Sequence, residues 1–399
     1  MSPPPIAQRV EALRPTAVNR VLAEVRALQA EGRRLVSLMR GQPDSATPIH
    51  IVEAAEQALR AGHTGYPDNQ GELTLRQAAA EKLRRDNGLD YDPGREILVT
   101  DGATSGLFAA LAVLLEPGDD VLVPDPIYDA YSSPIAAWGG QPVPVRATIQ
   151  NGRFAIAAAD LAAACTPRTR AVLLNTPWNP TGTVWTRPEL DTLMAFAGAH
   201  DLRVISDEIY ETFVYDGCRH LSPAALSTEA RKRTVLVNSL SKTYAMTGWR
   251  VGYCAATPDL IQAMLLVLQQ YSRGPALFVQ HAAAHALRAD QECVRAMTAE
   301  YQRRRDQVIA HLRGLPGIEP LIPQGGLFVM LDVRALGIPS EEVRRFLLRE
   351  AGVAVIHGSA YGPGGEGTLR ISFAAGGTVL EEGLERLRGG LKRLTDRAE

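Results

Sequence analysis

The stretch ILVTDGATSGLFAALAVLLEPGDDVLVP (residues 97–124) contains two short apolar runs separated by a longer helical pattern. The runs at 97–100 and 121–124 have the length and the β-branched content of buried strands, and residues 104–115 have the pattern of a helix. A strand, a helix and a second strand in this order are typical of parallel strands whose sheet is covered by helices on both faces. The stretch therefore predicts an α/β fold built on a mostly parallel sheet.

The same alternation extends on both sides of this stretch. Short β-branched runs predict further strands, and periodic stretches beside them predict helices. The predicted strands are 171–175, 203–206, 234–238 and 251–256, and the predicted helices are 48–61, 71–87 and 187–199. We therefore expect one large sheet that is sandwiched by helices.

The two ends of the chain follow a different pattern, which predicts a smaller α+β domain. The expected elements are a helical lead-in at 6–36, a short strand at 35–38, a long helical stretch at about 258–312, strands at 328–333, 353–356 and 368–373, and a helix at 340–350. We expect a large domain at 48–290 and a small domain formed by 1–47 together with 291–399.

Composition limits the classes of partner. The 399 residues are 46% hydrophobic, and 42 basic against 44 acidic residues leave a formal net charge of −2. A chain this apolar forms a packed core, and this charge balance predicts a small-molecule ligand, with neither nucleic acid nor a membrane as partner. We expect neither a targeting segment nor a membrane anchor, since apolar runs such as 107–115 are too short.

The cysteines indicate the compartment. They are dozens of residues apart, a spacing that suits neither a zinc knuckle nor a disulfide scaffold. We expect reduced thiols in a cytoplasmic protein. The four positions are Cys165, Cys218, Cys254 and Cys293.

The residues that follow the predicted strands carry the chemistry. In open α/β sheets, ligands bind beyond the carboxyl ends of the strands. In chain order these positions supply a glycine-rich turn before a helix, an amide, a carboxylate, a phenol, a hydroxyl, an amine and a guanidinium. They are Gly102, Ala103, Thr104, Asn179, Asp207, Tyr210, Ser239, Lys242 and Arg250. The turn before the helix would present free N–H groups and a positive helix end to an anion such as phosphate.

Each feature taken alone also has an ordinary structural explanation. Residues 102–106 form a common strand-to-helix turn, and Asn179 is a usual turn former before proline. Asp207 could be a helix cap, and Lys242 a solvated lysine. The combination at the ends of strands of one sheet favours a single site.

The motifs resemble those of fold-type I aminotransferases, the group that includes aspartate and aromatic amino-acid aminotransferases. The matching segments are Asn179-Pro-Thr-Gly182, Asp207-Glu-Ile-Tyr210 and Ser239-Leu-Ser-Lys242-Thr-Tyr-Ala-Met-Thr-Gly-Trp-Arg250-Val-Gly252. Their order and spacing match, and the resemblance extends from about residue 10 to about residue 395. It implies pyridoxal 5'-phosphate as the cofactor, an L-amino acid and a 2-oxo acid as substrates, and a homodimer.

The resemblance also implies roles for individual residues. Lys242 would form the Schiff base with the cofactor and carry a proton, while Asp207 would keep the pyridine nitrogen protonated. Asn179 and Tyr210 would hydrogen-bond the phenolic oxygen of the ring. The phosphate would be held by Ser239, Arg250 and the turn at 102–104.

Further roles come from the resemblance alone. Tyr128 would stack on the pyridine, and Tyr66 would reach the cofactor phosphate of the neighbouring subunit. Arg370 would hold the substrate α-carboxylate as a bidentate partner. Asn179 and Gly41 would also contact the substrate, since the segment at Gly41 lines the substrate pocket in related enzymes.

Several alternatives remain open at this level. The same cofactor-binding residues serve β-elimination, decarboxylation and oxidation, and a non-catalytic ligand sensor is a further possibility. The amino donor and the acceptor are undetermined, as is whether metabolism here is primary or specialised. Arg40, Arg273 and His357 are candidates for setting specificity.

Two further patterns suggest no ligand site. His281 and His285 have the i, i+4 spacing of helical zinc ligands, but no glutamate follows the first histidine, so we expect no metal. The glycine pattern at 362–367 precedes a strand instead of joining a strand to a helix, so we expect a turn.

Overall fold

The computed structural model describes residues 10, 13 and 15–398. The strands are β1 (Val36–Ser37), β2 (Ile97–Thr100), β3 (Asp120–Asp125), β4 (Gln141–Arg146), β5 (Thr148–Gln150), β6 (Arg153–Ala155), β7 (Thr169–Asn175), β8 (Arg203–Asp207), β9 (Thr234–Ser239), β10 (Gly252–Ala255), β11 (Glu319–Leu321), β12 (Phe328–Asp332), β13 (Val353–Ala354), β14 (Ile356–His357) and β15 (Thr368–Ser372). The α-helices are α1 (Ala17–Ala30), α2 (Ile49–Arg60), α3 (Leu73–Asn87), α4 (Ala103–Leu114), α5 (Ser132–Ala137), α6 (Ala158–Ala164), α7 (Arg187–Ala199), α8 (Thr228–Arg233), α9 (Leu240–Thr243), α10 (Pro258–Leu268), α11 (Leu277–Arg288), α12 (Glu292–Leu312), α13 (Ser340–Phe346) and α14 (Gly377–Ala398).

The large sheet has seven strands in the order β2-β10-β9-β8-β7-β3-β4. Its neighbours are parallel, apart from β10, which runs antiparallel to both β2 and β9. Strands β2, β3 and β9 are buried along their length, as expected when helices cover both faces. The predicted α/β fold with a mostly parallel sheet is confirmed.

Helices pack on both faces of this sheet. On one face, Leu107 and Leu111 of α4 share a core with Met264 of α10. On the other face, Leu190 and Leu193 of α7 pack in a separate core. Helix α7 starts where predicted because Thr186 caps it, accepting from the Glu189 N–H while the Glu189 carboxylate accepts from the Thr186 N–H. The capping residues and the buried leucines therefore both support the predicted start of α7.

The structure contains several elements that the sequence did not predict, among them β4, β5, β6, β11, α5, α6 and α8. Strand β4 contains Pro142 and Pro144, which are tolerated because β4 is an edge strand of the sheet. The long helical stretch predicted at 258–312 is divided into α10, α11 and α12, with the first break near Gly274, where φ is +77°. The terminal helix α14 was not predicted either.

Elements from both ends of the chain meet around a second, antiparallel sheet of order β11-β12-β15-β14. Strand β1 pairs in parallel with β13, and Leu38, just after β1, shares a core with Leu384 of α14 and Val308 of α12. Part of the predicted lead-in at 6–36 is α1, and residues 6–9, 11, 12 and 14 lie outside the described residues. Among the described residues, no helix combines the length and apolar character needed to cross a membrane.

Candidate active site

A cavity of about 520 Å³, here called the central cavity, opens at the carboxyl ends of the parallel strands. The side that belongs to the large sheet is lined by residues that directly follow β2, β3, β7, β8 and β9, and the opposite side by residues 39–42, Phe328 and Arg370. The predicted site residues that line it are Gly41, Ala103, Thr104, Tyr128, Asn179, Asp207, Tyr210, Ser239, Lys242, Arg250 and Arg370. The fold thus brings together residues more than 300 positions apart in the chain.

Lys242 lies in α9, the short helix that begins where β9 ends. Ser239 caps this helix, its hydroxyl accepting from the Ser241 N–H at 3.0 Å. The Lys242 ammonium donates to the Gly41 carbonyl at 2.7 Å. Burial lowers the pKa of Lys242 to about 8; Asp207 opposes this shift, and the positive charges of Arg250 and Arg370 add to it. A substantial fraction of this amine is therefore neutral near pH 7 to 8.

Asp207, the last residue of β8, is a buried carboxylate. It accepts from the Tyr131 hydroxyl at 2.7 Å and, at 3.3 Å, from the Ile209 N–H. Burial raises the pKa of Asp207 to about 6, although the hydrogen bond from Tyr131 and the positive charge of Lys242 both lower it. Such a carboxylate is ready to pair with a cationic partner that enters the cavity.

Tyr131 and Asn175 also line the central cavity, and the sequence analysis did not identify them. The Tyr131 ring packs edge-on against Tyr128 with centroids 5.3 Å apart. The Asn175 amide donates to the Asp207 carbonyl at 2.9 Å and accepts from the Asn179 N–H at 2.7 Å. The only available signal was their place near the carboxyl end of a strand, Asn175 as the last residue of β7 and Tyr131 in the segment after β3, which many structural residues share.

Arg370 stands in the middle of β15 with its guanidinium buried. It donates to the Asn179 side-chain oxygen at 3.2 Å and to the Met39 carbonyl at 2.7 Å. The guanidinium lies over the rings of Phe328 and Tyr361, at 4.0 and 4.8 Å from their centroids. Its Nε is buried with no hydrogen-bond partner among the described residues, so this cation has donor capacity left for an anion.

Gly41 is required by the close approach of Phe328. A Cβ at this position would lie 2.3 Å from the Cζ atom of the Phe328 ring. Because that ring supports the guanidinium of Arg370, any side chain here would displace both groups. The absence of a side chain lets the Gly41 carbonyl reach Lys242.

The end of the cavity nearest α4 collects anion-binding groups. Ala103 and Thr104 begin α4, where the positive end of the helix dipole lies, and Ser239, Ser241 and Arg250 line the same cavity. Arg250 is held by the Thr247 carbonyl at 2.9 Å and the Asp101 carbonyl at 3.2 Å.

Gly102 does not line the cavity, but it packs directly behind this end of it. Its φ is +81°, and a Cβ there would lie 2.7 Å from Nη2 of Arg250. A glycine at this position therefore lets Arg250 approach the start of α4.

Some candidates lie outside the central cavity. Tyr66 is 87% exposed. Arg273 donates to the side-chain oxygen of Asn69 at 3.3 Å. His357 is buried on β14. Arg40, in contrast, lines the cavity.

The histidine spacing noted in the sequence is explained by packing. The His285 ring nitrogen Nε2 lies 3.1 Å from Nδ1 of His50, and the His281 ring packs against that of His63. The segment at 362–367 contains a 3-10 turn ahead of β15.

Glu208, Glu211 and His220 form the group whose ligand atoms come close together in the described part of the chain. Hydrogen bonds already use these carboxylates: Glu208 accepts from Ser206, Ser222 and His220, and Glu211 from Lys82, Asn87 and Asn238. This arrangement is a satisfied buried polar network.

Comparison with known proteins agrees with this geometry. The family model "Aminotransferase class I and II" matches residues 33–387. Aromatic-amino-acid aminotransferase 2 of Thermococcus litoralis is 38% identical, with 97% of this chain and 98% of the relative covered. Aspartate aminotransferase of Pyrococcus abyssi is 38% identical, with 98% and 100% covered. The crystal structure of the aspartate aminotransferase from Rhizobium meliloti superimposes with a TM-score of 0.93 at 34% identity, covering 98% of this chain and 99% of that one.

The chain therefore belongs to the class I and II aminotransferases. Within this class it is an amino-acid aminotransferase, and it depends on pyridoxal phosphate as this class does. The residues present fit that cofactor. The serines, Arg250 and the start of α4 suit a phosphate, the buried Asp207 carboxylate suits a protonated ring nitrogen, and the partly neutral Lys242 amine suits an aldehyde.

Proposed function

We propose that this aminotransferase moves the amino group of an L-amino acid to a 2-oxo acid and that Lys242 is the residue that binds the cofactor aldehyde covalently. One observation carries the proposal: the Lys242 amine has a pKa lowered to about 8 and faces a cavity that also contains Asp207 and Arg370. When bound, pyridoxal phosphate supplies the aldehyde that takes up the amino group and the ring that accepts the electrons left at the substrate Cα.

Lys242 moves the proton in this proposal. With the cofactor bound, its neutral Nζ would remove the proton from the substrate Cα and would return it to the former aldehyde carbon of the cofactor, on the other side of the amino nitrogen. Burial is the main reason why the amine is partly neutral near pH 7 to 8. The Gly41 carbonyl, 2.7 Å away, holds Nζ on the side of the cavity that faces the second sheet.

Asp207 keeps the ring nitrogen protonated. Its buried carboxylate is costly to ionise alone, and a protonated ring nitrogen beside it offsets that cost, so the two charges stabilise each other. Tyr131 and Asn175 keep Asp207 in place through its carboxylate and its carbonyl. Asn179 and Tyr210 bind the phenolic oxygen, and Tyr128 provides the aromatic ring beside the pyridine.

Ser239, Arg250 and the start of α4 at Gly102, Ala103 and Thr104 hold the phosphate. Three kinds of donor support this assignment: a hydroxyl, a guanidinium, and the N–H groups that have no partner within the first helical turn. The guanidinium is already oriented by two backbone carbonyls, so it loses little conformational entropy on binding.

Arg370 binds the α-carboxylate that all amino-acid substrates share, and Asn179 and Gly41 border the same place. The guanidinium is fixed by two hydrogen bonds and two aromatic rings, and its unpartnered Nε supports an additional anionic partner. A fork held this rigidly also orients the substrate Cα for proton removal.

We propose a homodimer in which Tyr66 reaches the cofactor phosphate of the neighbouring subunit. In the single chain this tyrosine is 87% exposed, and Ile49 and Leu73 on the neighbouring helices are 68% and 48% exposed. Exposed apolar side chains on the helices that flank this tyrosine in sequence, together with its absence from the lining of its own central cavity, support a subunit contact.

We also propose the domain limits 48–290 for the cofactor-binding domain and 1–47 with 291–399 for the small domain. The core shared by Leu38, α12 and α14 supports this division. A cytoplasmic location is proposed as well, supported by four cysteines that are all free thiols.

A single-turnover panel tests the proposed reaction. Enzyme loaded with pyridoxal phosphate is mixed with one L-amino acid at a time and no acceptor, and the products are quantified. We expect one equivalent of 2-oxo acid per site without ammonia, followed by transfer of the nitrogen to an added 2-oxo acid. Release of ammonia, carbon dioxide or hydrogen peroxide instead would identify a lyase, a decarboxylase or an oxidase. Lys242→Ala in the same panel is the control for non-enzymatic reaction.

A further inference from the structure

A second cavity of about 660 Å³ adjoins the central cavity. One wall is formed by Leu22, Val25, Arg26 and Gln29 of α1, and the other by Ser37, Leu38, Arg40 and residues 42–46. Leu22, Arg40 and Gln42 line both cavities, so the two share a wall. Arg40 therefore borders both the central cavity and the second cavity.

The backbone around Arg40 is fixed between the two groups that would handle the substrate. The Met39 carbonyl accepts from Arg370 at 2.7 Å, and the Gly41 carbonyl accepts from Lys242 at 2.7 Å. The Arg40 carbonyl accepts from the Ser372 hydroxyl at 2.6 Å. Three consecutive carbonyls are thus held, and the Arg40 side chain starts midway between the proposed α-carboxylate partner and the reactive amine.

The second cavity has an excess of positive charge. Arg40 and Arg26 are exposed, and neither guanidinium has a hydrogen bond or ion pair with any part of the chain that the structure describes. Asp44, the acidic residue in the lining, is already paired with Arg304 at 2.9 Å and accepts from the Gly376 N–H at 2.9 Å. Two uncompensated guanidinium groups in one cavity favour an anion.

Helix α1 fixes the backbone from which the Arg26 side chain extends. Its first N–H, that of Ala17, donates to the Asp129 carboxylate at 2.6 Å, and Asp129 lines the central cavity. Leu22 and Arg26 are four residues apart, so they lie on one face of α1 and point to the same side. Arg26 lines only the second cavity, whereas Arg40 also lines the central cavity that contains Lys242.

We propose that the second cavity is a subsite for the distal anionic group of a substrate with a longer side chain than aspartate, and that Arg40 and Arg26 are specificity-determining residues. This rests on the proposed role of Arg370 in holding the α-carboxylate. The ligand chemistry is a terminal carboxylate or phosphonate group on an amino acid with a longer side chain than that of aspartate. Arg40 contacts every acidic side chain, whereas Arg26 contacts only the longer ones.

Matched donors test the subsite on the cofactor-loaded enzyme. L-2-aminoadipate and L-norleucine have the same number of carbons and differ in the terminal group, so the ratio of their kcat/KM values isolates the distal charge. We expect the acid to be preferred by about tenfold or more, the range of one charge-assisted contact. L-aspartate and L-2-aminopimelate vary the length, and L-2-amino-5-phosphonopentanoate distinguishes a preference for phosphonate from one for carboxylate.

The two arginines have different expected signatures. Arg40→Gln should reduce kcat/KM at least tenfold more for 2-aminoadipate than for norleucine, and should also affect aspartate. Arg26→Gln should reduce the values for 2-aminoadipate and 2-aminopimelate while sparing aspartate. Arg313→Gln, an exposed arginine outside both cavities, is the matched control and should leave the ratios unchanged.

A binding measurement separates failure of the subsite from failure of the proposed reaction. Adipate and hexanoate differ by the distal carboxylate alone, and calorimetry of the loaded enzyme gives both affinities without turnover. Adipate should bind at least tenfold tighter, and Arg40→Gln should remove this difference. Equal affinities, or acid-to-neutral ratios that Arg40→Gln leaves unchanged, would overturn the subsite. Absence of turnover with every donor would instead overturn the proposed roles in the central cavity.

Discussion

Replacing Asp207 by asparagine should stabilise the cofactor-free protein while impairing the loaded enzyme. Burial raises the pKa of this carboxyl from its ordinary value of 3.8 to about 6. Below pH 3.8 both the folded and the unfolded forms are protonated. Between pH 3.8 and 6 the carboxyl ionises in the unfolded form but not in the folded form, so the free energy of unfolding falls as the pH rises. Above pH 6 the carboxyl is ionised in both forms, and the free energy of unfolding stays lowered by the full amount.

The size of the effect follows from the same pKa values. One pKa unit corresponds to about 1.4 kcal/mol, so the rise from 3.8 to about 6 costs the folded protein about 3 kcal/mol at pH 7.5 and about 1 kcal/mol at pH 4.5. Asparagine has the same shape and can still accept from the Tyr131 hydroxyl, but it carries no charge to bury. Asp207→Asn should therefore raise the free energy of unfolding by these amounts at the two pH values.

Urea unfolding of cofactor-free wild type and Asp207→Asn at pH 4.5 and 7.5 measures the difference. We expect the variant to be more stable at pH 7.5, with a gain about 2 kcal/mol larger than at pH 4.5. In the loaded enzyme the order should reverse: the variant should bind pyridoxal phosphate more weakly and turn over slowly. A gain that is the same at both pH values, or a variant with normal turnover, would refute the assignment of Asp207 as a buried charge that pairs with the cofactor.

Three further substitutions test the central cavity. Lys242→Ala should abolish turnover. Borohydride treatment should attach the cofactor to the Lys242 peptide of the loaded wild type and to no peptide of the variant. A variant that still carries the cofactor on another peptide would disprove the assignment. Arg370→Lys keeps the charge but loses the planar fork, so kcat/KM should fall about tenfold to a hundredfold for every donor alike; a loss limited to one donor would mean that Arg370 recognises a side chain. Gly41→Ala places a Cβ 2.3 Å from the Phe328 ring, and overpacking of this kind destabilises a protein by about 1–3 kcal/mol. We expect kcat/KM to fall because the ring and Arg370 are displaced. Unchanged kinetics would show that this contact does not position the arginine.

Much of the site could be predicted because its residues follow strands in a regular way. Parallel strands carry their functional residues at one edge, so a sequence that alternates strands and helices already indicates that Asn179, Asp207 and Lys242 face one cavity. Asn175 ends β7 and Tyr131 lies in the segment after β3, but the hydrogen bonds that they form with Asp207 and Asn179 cannot be predicted from sequence spacing. Strand β4 was not predicted because it contains prolines, which a strand tolerates only at the edge of a sheet. The edge position of β4 is a property of the whole sheet and cannot be read from the segment alone.

The sequence by itself determined the α/β fold class and the positions of the residues at the strand ends, because these depend on local pattern and residue type, and the resemblance of its motifs to a known family indicated the class of chemistry. The tertiary structure alone decided how the distant segments meet. The carbonyls of Met39 and Gly41 bind Arg370 and Lys242 across 331 and 201 positions of the chain, and this places Arg40 on the wall between two cavities. The lowered pKa of Lys242 and the raised pKa of Asp207 also arise there, because burial and neighbouring charges exist only once the chain has packed.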